Sequence, residues 1–260
     1  MYLSRFFADD PAMHGCLRCR DTDAPLDLDL RMAFQPIVDV ARREVFAYEA
    51  LVRGAAGQGA GWVLEQVTPT TMYRFDQTCR VLAIETAARL GMRTMLSINF
   101  MPNAVYEPAS CIRLTLAAAE RVNFPVERLM FEITEGERIV QPEHALRILR
   151  DYHRRGFTTA IDDFGAGFAG LTLLAQFQPQ VLKVDMELVR GIDASAAKQA
   201  IVEGIVHMAA RMKSRIVAEG VETREELDCM RALGIELFQG YLLAKPQVEA
   251  LPEPDWSVLG

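Results

Sequence analysis

Residues 157–219 read FTTAIDDFGAGFAGLTLLAQFQPQVLKVDMELVRGIDASAAKQAIVEGIVHMAARMKSRIVAE. Three short apolar runs within it, FTTAI, QVLKV and RIVA, each lead into acid: Asp162 with Asp163, then Asp185, then Glu219. Between them Leu171 to Phe177 and Ala194 to Lys213 carry apolar residues at helical spacing. Strand and helix alternating in this way call for a parallel sheet covered by helices.

Working outward, the pattern continues on both sides. Toward the C-terminus, Arg224 to Leu233 is helical and stops at Gly234, and ELFQG is the last strand. Toward the N-terminus, Pro142 to Arg155 is a helix with proline in its first turn and Gly156 just past its end. Before it come LMFEIT as a strand, Pro108 to Val122 as a helix, TMLSIN as a strand and Tyr73 to Leu90 as a helix stopped by Gly91. The first two strands, AFQPIVDV and VFAYEALV, are joined only by Ala41 to Glu44. A parallel crossover needs roughly a dozen residues or more, so this pair is an antiparallel hairpin. The total is about eight strands. That predicts an α/β fold, a TIM-like (β/α)8 barrel with one antiparallel strand, with an open doubly wound sheet as the alternative. The expected organisation is an N-terminal extension over 1–29, a barrel over 30–250 and a C-terminal tail over 251–260.

Composition narrows the function. Half of the 260 residues are hydrophobic and 24% are charged, which is a folded composition. Lys and Arg total 28 against 35 Asp and Glu, a net charge of −7, which argues against charge-driven binding to duplex nucleic acid or anionic lipid. Five scattered cysteines read as reduced thiols, and the start MYLSRFFADD lacks a secretory core, so a cytoplasmic location is expected. No run approaches the ~18 apolar residues of a membrane span. His14, Cys16 and Cys19 in HGCLRC lack a second ligand pair at zinc spacing and read as incidental.

In such a barrel the chemistry sits at the C-terminal ends of the strands. The second strand is expected to end near Glu49, the third at Asn99, the fourth near Glu132 and the fifth at Asp162–Asp163. The sixth carries Lys183, the seventh ends at Glu219 and the eighth at Gln239. Glu49, Glu132, Asp162, Asp163 and Glu219 would then share one mouth, with Glu222 as a sixth acid. Carboxylates so close cannot all stay ionised unpaired. Either several hold protons or divalent cations bind, and an all-oxygen donor set with one amide suits Mg²⁺ or Mn²⁺. None of His14, His144, His153 and His207 lies at a strand end, which argues against histidine-based catalysis.

The ordered segments FQPIVD, YEALVR, SIN, FEITE, IDDFGAGFAGL, LKVD, AEGVET and FQGYLLAKP resemble the EAL-domain phosphodiesterases of cyclic-di-GMP signalling, over about residues 31–247. The resemblance implies hydrolysis of cyclic-di-GMP to linear pGpG with two Mg²⁺ or Mn²⁺ ions. It assigns Glu49, Asn99, Glu132 and Asp162 to one ion, and Asp162, Asp163 and Glu219 to the other. Lys183 matches a lysine that orients the attacking water. Gln35, Leu51, Arg53 and Gln239 match positions that touch substrate, with Gln239 and Glu222 also matching water-positioning residues. Glu135 matches a glutamate that braces the loop after the DDFG strand. The resemblance further implies a homodimer through that loop and the helix after it. With no diguanylate cyclase motif or sensor domain recognised in the sequence, regulation is expected from a protein partner, oligomerisation, expression or the short extension. This chain departs from the family pattern after Arg53, where GAAGQGAGW makes a shorter, glycine-rich segment, and at Ala166, Phe168 and Ala169 in the DFGAGFAGL loop.

Overall fold

The structure, a computed structural model, describes residues 26–105, 107–134, 142–167 and 170–259. HGCLRC, Glu135, Phe168 and Ala169 lie outside the described residues. In chain order the elements are β1 (Leu30–Asp39), β2 (Glu44–Gly54), α1 (Ala60–Leu64), α2 (Met72–Arg89), β3 (Met95–Asn99), α3 (Pro108–Cys111), α4 (Arg113–Arg121) and β4 (Leu129–Thr134). They continue with α5 (Pro142–Arg154), β5 (Thr158–Phe164), α6 (Gly170–Gln176), β6 (Val181–Val184), α7 (Met186–Val189), α8 (Ala196–Met212), β7 (Arg215–Ala218), α9 (Arg224–Ala232), β8 (Leu237–Phe238) and β9 (Gln247–Val248).

Strands β2 to β8 pair in sequence order, all parallel, and β1 closes the ring antiparallel to both β2 and β8. The expected barrel with one inverted strand is the fold observed. The short strand β9 is an addition, paired antiparallel to Ala33 and Phe34 of β1. Two expectations about the elements change. Strand β2 does not end near Glu49 but runs on to Gly54, because β1 pairs with it along its whole length, Gln35 opposite Glu49 and Leu30 opposite Gly54. The helix expected over 108–122 is two pieces that meet at Ile112. The altered GAAGQGAGW segment closes with a Gly54 N–H to Gln58 O bond at 3.0 Å and then forms α1.

The inside of the barrel is built in layers, because alternate residues of a strand point inward. The lower layer is apolar: Ile37, Ala47, Met130, Ala160, Val181, Val217 and Leu237, with Met95 packed against it. Two residues further toward the mouth on each strand stand Glu49, Ser97, Glu132, Asp162, Lys183, Glu219 and Gln239, with Gln35 from the inverted β1. Period-two alternation thus turns eight separate stretches of sequence into one polar ring. The helices bury a second, larger core against the outside of the barrel, with Phe34, Phe131, Tyr152 and Phe157 among its fully buried side chains. Leu251, Trp256 and Val258 from the end of the chain pack on this core, and Tyr48 Oη donates to Pro252 O at 3.1 Å.

Candidate active site

Lys183 stands at the centre of the ring with no exposed surface. Its Nζ lies 2.8 Å from Glu219 Oε1, 2.9 Å from Glu132 Oε2, 3.0 Å from Asp162 Oδ1 and 3.3 Å from Glu49 Oε2. Asn99 Nδ2 donates to Glu49 Oε1 at 2.8 Å, and Gln239 Nε2 donates to Glu49 Oε2 at 2.7 Å. Gln35 Nε2 donates to Ala244 O at 3.0 Å, which holds its amide beside Gln239. Ser97 Oγ donates to Glu132 Oε1, a contact that the sequence reading did not anticipate.

Asp162 and Asp163 are sequence neighbours, so an undisturbed strand would send them to opposite faces. The register of β5 against β6 shifts between Ile161 and Phe164, and Asp163 adopts a left-handed φ of 53°. The irregularity turns both carboxylates toward the mouth, and Asp163 N–H donates to Asp162 Oδ1 at 3.0 Å. Two trios of carboxylates result, Glu49–Glu132–Asp162 and Asp162–Asp163–Glu219, each with ligand oxygens within 4.8 Å of one another. Asp162 belongs to both.

The electrostatics match that crowding. Burial would lower the Lys183 pKa, but the surrounding carboxylates outweigh it and hold the ammonium charged. Burial pushes Glu132 up to about 8, although Lys183 works against it. Burial, then the charge of Asp162, pushes Glu219 well above the usual range. Asp163 rises to about 6, from burial first and the Asp162 charge second. For Asp162 burial acts upward, but Lys183 and a hydrogen bond from Glu219 leave it below the ordinary value. Without cations, protons therefore occupy the ring at neutral pH. This donor set, all carboxylate oxygen with an Asn amide beside it and two trios joined at one residue, fits a pair of hard divalent ions.

The mouth opens into a cavity of about 430 Å³ lined by Gln35, Glu49, Asp163, Glu219, Gln239 and Tyr241. Asn99, whose amide bonds to Glu49, lines a larger apolar cavity of about 630 Å³ together with Leu51, Phe75 and Met101. The structure does not bring every expected residue to the ring. Glu222 lines the rim of the smaller cavity but pairs with Arg190, so it is not a sixth carboxylate of the ring. The cause is the turn before it, where Gly220 at φ 66° sends Val221 into the core. Arg53 lies near the far end of β2 with NH1 on Val52 O at 2.8 Å. Asp185 caps α7 by accepting from Glu187 N–H at 2.9 Å. His144, His153 and His207 all lie on helices. No helix among the described residues is long and apolar enough to cross a membrane.

The sequence model of the EAL domain matches residues 22–246. The chain belongs to the EAL-domain family. A crystal structure of a standalone versatile EAL protein from Vibrio cholerae O395, in its c-di-GMP-bound form, is similar with a TM-score of 0.87 and 48% identity, covering 90% of this chain and 99% of that one. The blue light- and temperature-regulated antirepressor BluF of Escherichia coli is 32% identical over 86% of this chain and 56% of its own length. The cyclic di-GMP phosphodiesterase NbdA of Pseudomonas aeruginosa is 29% identical over 85% of this chain and 29% of its own length. The chain thus spans about half or less of the curated EAL relatives it matches.

Proposed function

We propose that the chain is a metal-dependent phosphodiesterase that opens cyclic-di-GMP to linear pGpG. The observation that carries the reading is the pair of carboxylate trios sharing Asp162 at the mouth of an EAL barrel. The c-di-GMP-bound state of the Vibrio cholerae protein and the activity named for NbdA support the substrate. Glu49, Asn99, Glu132 and Asp162 would hold one ion, and Asp162, Asp163 and Glu219 the other. When bound, two divalent ions neutralise charge at the phosphodiester and supply a nucleophilic water at neutral pH.

The chain's own residues do the rest. Lys183 is a fixed positive charge that holds Glu49, Glu132, Asp162 and Glu219 in one geometry, so little reorganisation is left for the reaction. Gln239 fixes Glu49 with its amide N–H, while its buried Oε1 has no protein partner and stands ready to accept from a water or ligand in the cavity. Gln35 and Leu51 bound the space that the nucleotide would enter, and Arg53 would have to leave its Val52 carbonyl to reach a phosphate. Homodimer formation and a cytoplasmic location belong to the same proposal.

The test uses purified protein, Mg²⁺ or Mn²⁺ and cyclic-di-GMP, with chromatography for pGpG. Product that disappears on chelation is the expected result. A second reading, a regulator that binds without turnover, is favoured by the likeness to the antirepressor BluF. Bound nucleotide with no product under either ion would select it.

A further inference from the structure

Behind the ring lies a charged network that touches no candidate ligand directly. Arg80 of α2 is fully buried, its guanidinium carbon 5.3 Å from the ring centre of Phe100, 5.4 Å from Phe131 and 5.8 Å from Tyr152. Its NH2 lies 2.8 Å from Asp76 Oδ2, one turn earlier, and its NH1 donates to Tyr152 Oη at 2.7 Å. Asp76 is buried as well; its Oδ2 accepts from Gln77 Nε2 at 3.1 Å, and its Oδ1 accepts from Met101 N–H at 2.9 Å.

Met101 follows Asn99 by two residues, where the chain leaves β3. The residue between them, Phe100, is clamped from both sides: its N–H donates to Glu132 O at 3.1 Å, and its ring faces Arg80. Asn99 then donates to Glu49. A continuous set of contacts therefore runs from Tyr152 on α5 through Arg80, Asp76 and Met101 to Asn99 and Glu49.

An apolar pair of similar volume would be about as stable in this place as a buried ion pair. What apolar side chains could not provide is an acceptor aimed at the Met101 amide. We infer that Asp76 and Arg80 are positioning residues for the ion site: the carboxylate, locked by Arg80, pins Met101 and so sets Asn99 against Glu49. The inference rests on reading Glu49 and Asn99 as ion ligands. Residues one step behind a metal ligand typically affect metal affinity by about 10- to 100-fold.

The experiment compares two double variants that both remove the buried charges. Asp76→Leu with Arg80→Met has no acceptor for Met101, whereas Asp76→Asn with Arg80→Met keeps one. Both are checked for folding by circular dichroism and thermal melting. Mn²⁺ alone is titrated calorimetrically, and hydrogen exchange of the segment 95–105 is followed by mass spectrometry in ion-free protein. The leucine pair is expected to weaken Mn²⁺ binding at least about tenfold, and to speed exchange of that segment by about tenfold. The asparagine pair should stay within about threefold of wild type in both. Wild-type Mn²⁺ affinity and exchange in the leucine pair overturn the inference, as does an equal loss in both pairs, which would mean a packing role. A wild-type protein that binds no Mn²⁺ overturns the reading of the ion site itself. Tyr152→Phe, which removes only the hydroxyl held by Arg80, is the milder companion if the leucine pair does not fold. It should shift both readouts the same way by about threefold, and no shift counts against the inference.

Discussion

Replacing Lys183 with methionine removes the cation that four carboxylates share while keeping most of the side-chain volume. Each contact, at 2.8–3.3 Å, has a gross attraction of about 5–6 kcal/mol at an effective dielectric near 20. Desolvation of the buried ions offsets much of this, so the loss is set by what is left behind. Breaking a buried pair by deleting one partner costs about 3–5 kcal/mol. For a chain of this size that lowers the melting temperature by roughly 10 °C. The residual carboxylates then have raised pKa values, the folded state binds more protons than the unfolded one, and stability rises as pH falls. The deficit of Lys183→Met against wild type, read by calorimetry on ion-free protein, should therefore be largest near pH 7 and shrink toward pH 5. Mn²⁺ supplies the missing positive charge to the variant's carboxylates, whereas in wild type it shares them with the ammonium, so a fixed Mn²⁺ concentration should stabilise the variant more and shrink the deficit as well. A variant as stable as wild type at pH 7, or a deficit indifferent to both pH and Mn²⁺, would refute the electrostatic account. In turnover the same variant should lose kcat more than nucleotide affinity.

Glu49→Ala removes an oxygen from one trio and the acceptor for both Asn99 and Gln239, and turnover should fall by more than about 100-fold; activity within tenfold of wild type contradicts the assignment. In the ion-free wild type Glu132, raised from 4.5 to about 8, and Asp163, raised from 3.8 to about 6, keep protons that the unfolded chain releases. Stability should thus decline as pH rises from about 4 to about 8, while Mn²⁺ affinity increases over the upper part of that range because binding must expel those protons, as pH-resolved melting and titration will show. A Cβ on Gly240 would stand 2.0 Å from Val221 O, so Gly240→Ala should destabilise by about 3 kcal/mol and displace Gln239, visible as a lower melting temperature together with slower turnover.

The barrel was legible because each strand is a short apolar run followed by a polar residue, a pattern that survives without knowledge of any contact. LMFEIT is β4 to the residue. Lys183 and its acids were legible for the same reason, since alternation alone sends Ala160 and Asp162, or Val217 and Glu219, to one side. What sequence hid depends on partners distant along the chain. Asp76 and Arg80, spaced i, i+4 on a helix, look like a solvated surface pair. Only Phe100, Phe131 and Tyr152, arriving from the end of β3, the middle of β4 and helix α5, make them a buried one. Glu222 looked like a ring member because nothing in AEGVET announces that Val221 turns inward and Glu222 meets Arg190. The four-residue helix α7 is too short to display a period.

The reversed direction of β1 has an architectural corollary. In a barrel whose strands all run one way, a chain enters at the floor, and whatever precedes it hangs far from the chemistry. Here Leu30 faces Gly54 and Gln35 faces Glu49, so the incoming polypeptide crosses the upper rim and descends past the acidic ring before any other strand is laid down. Five residues of strand, roughly 17 Å, separate that doorway from the ring. Any upstream module would be tethered at the mouth of the barrel, where a small shift in its position would tug on Gln35 without travelling through the barrel wall.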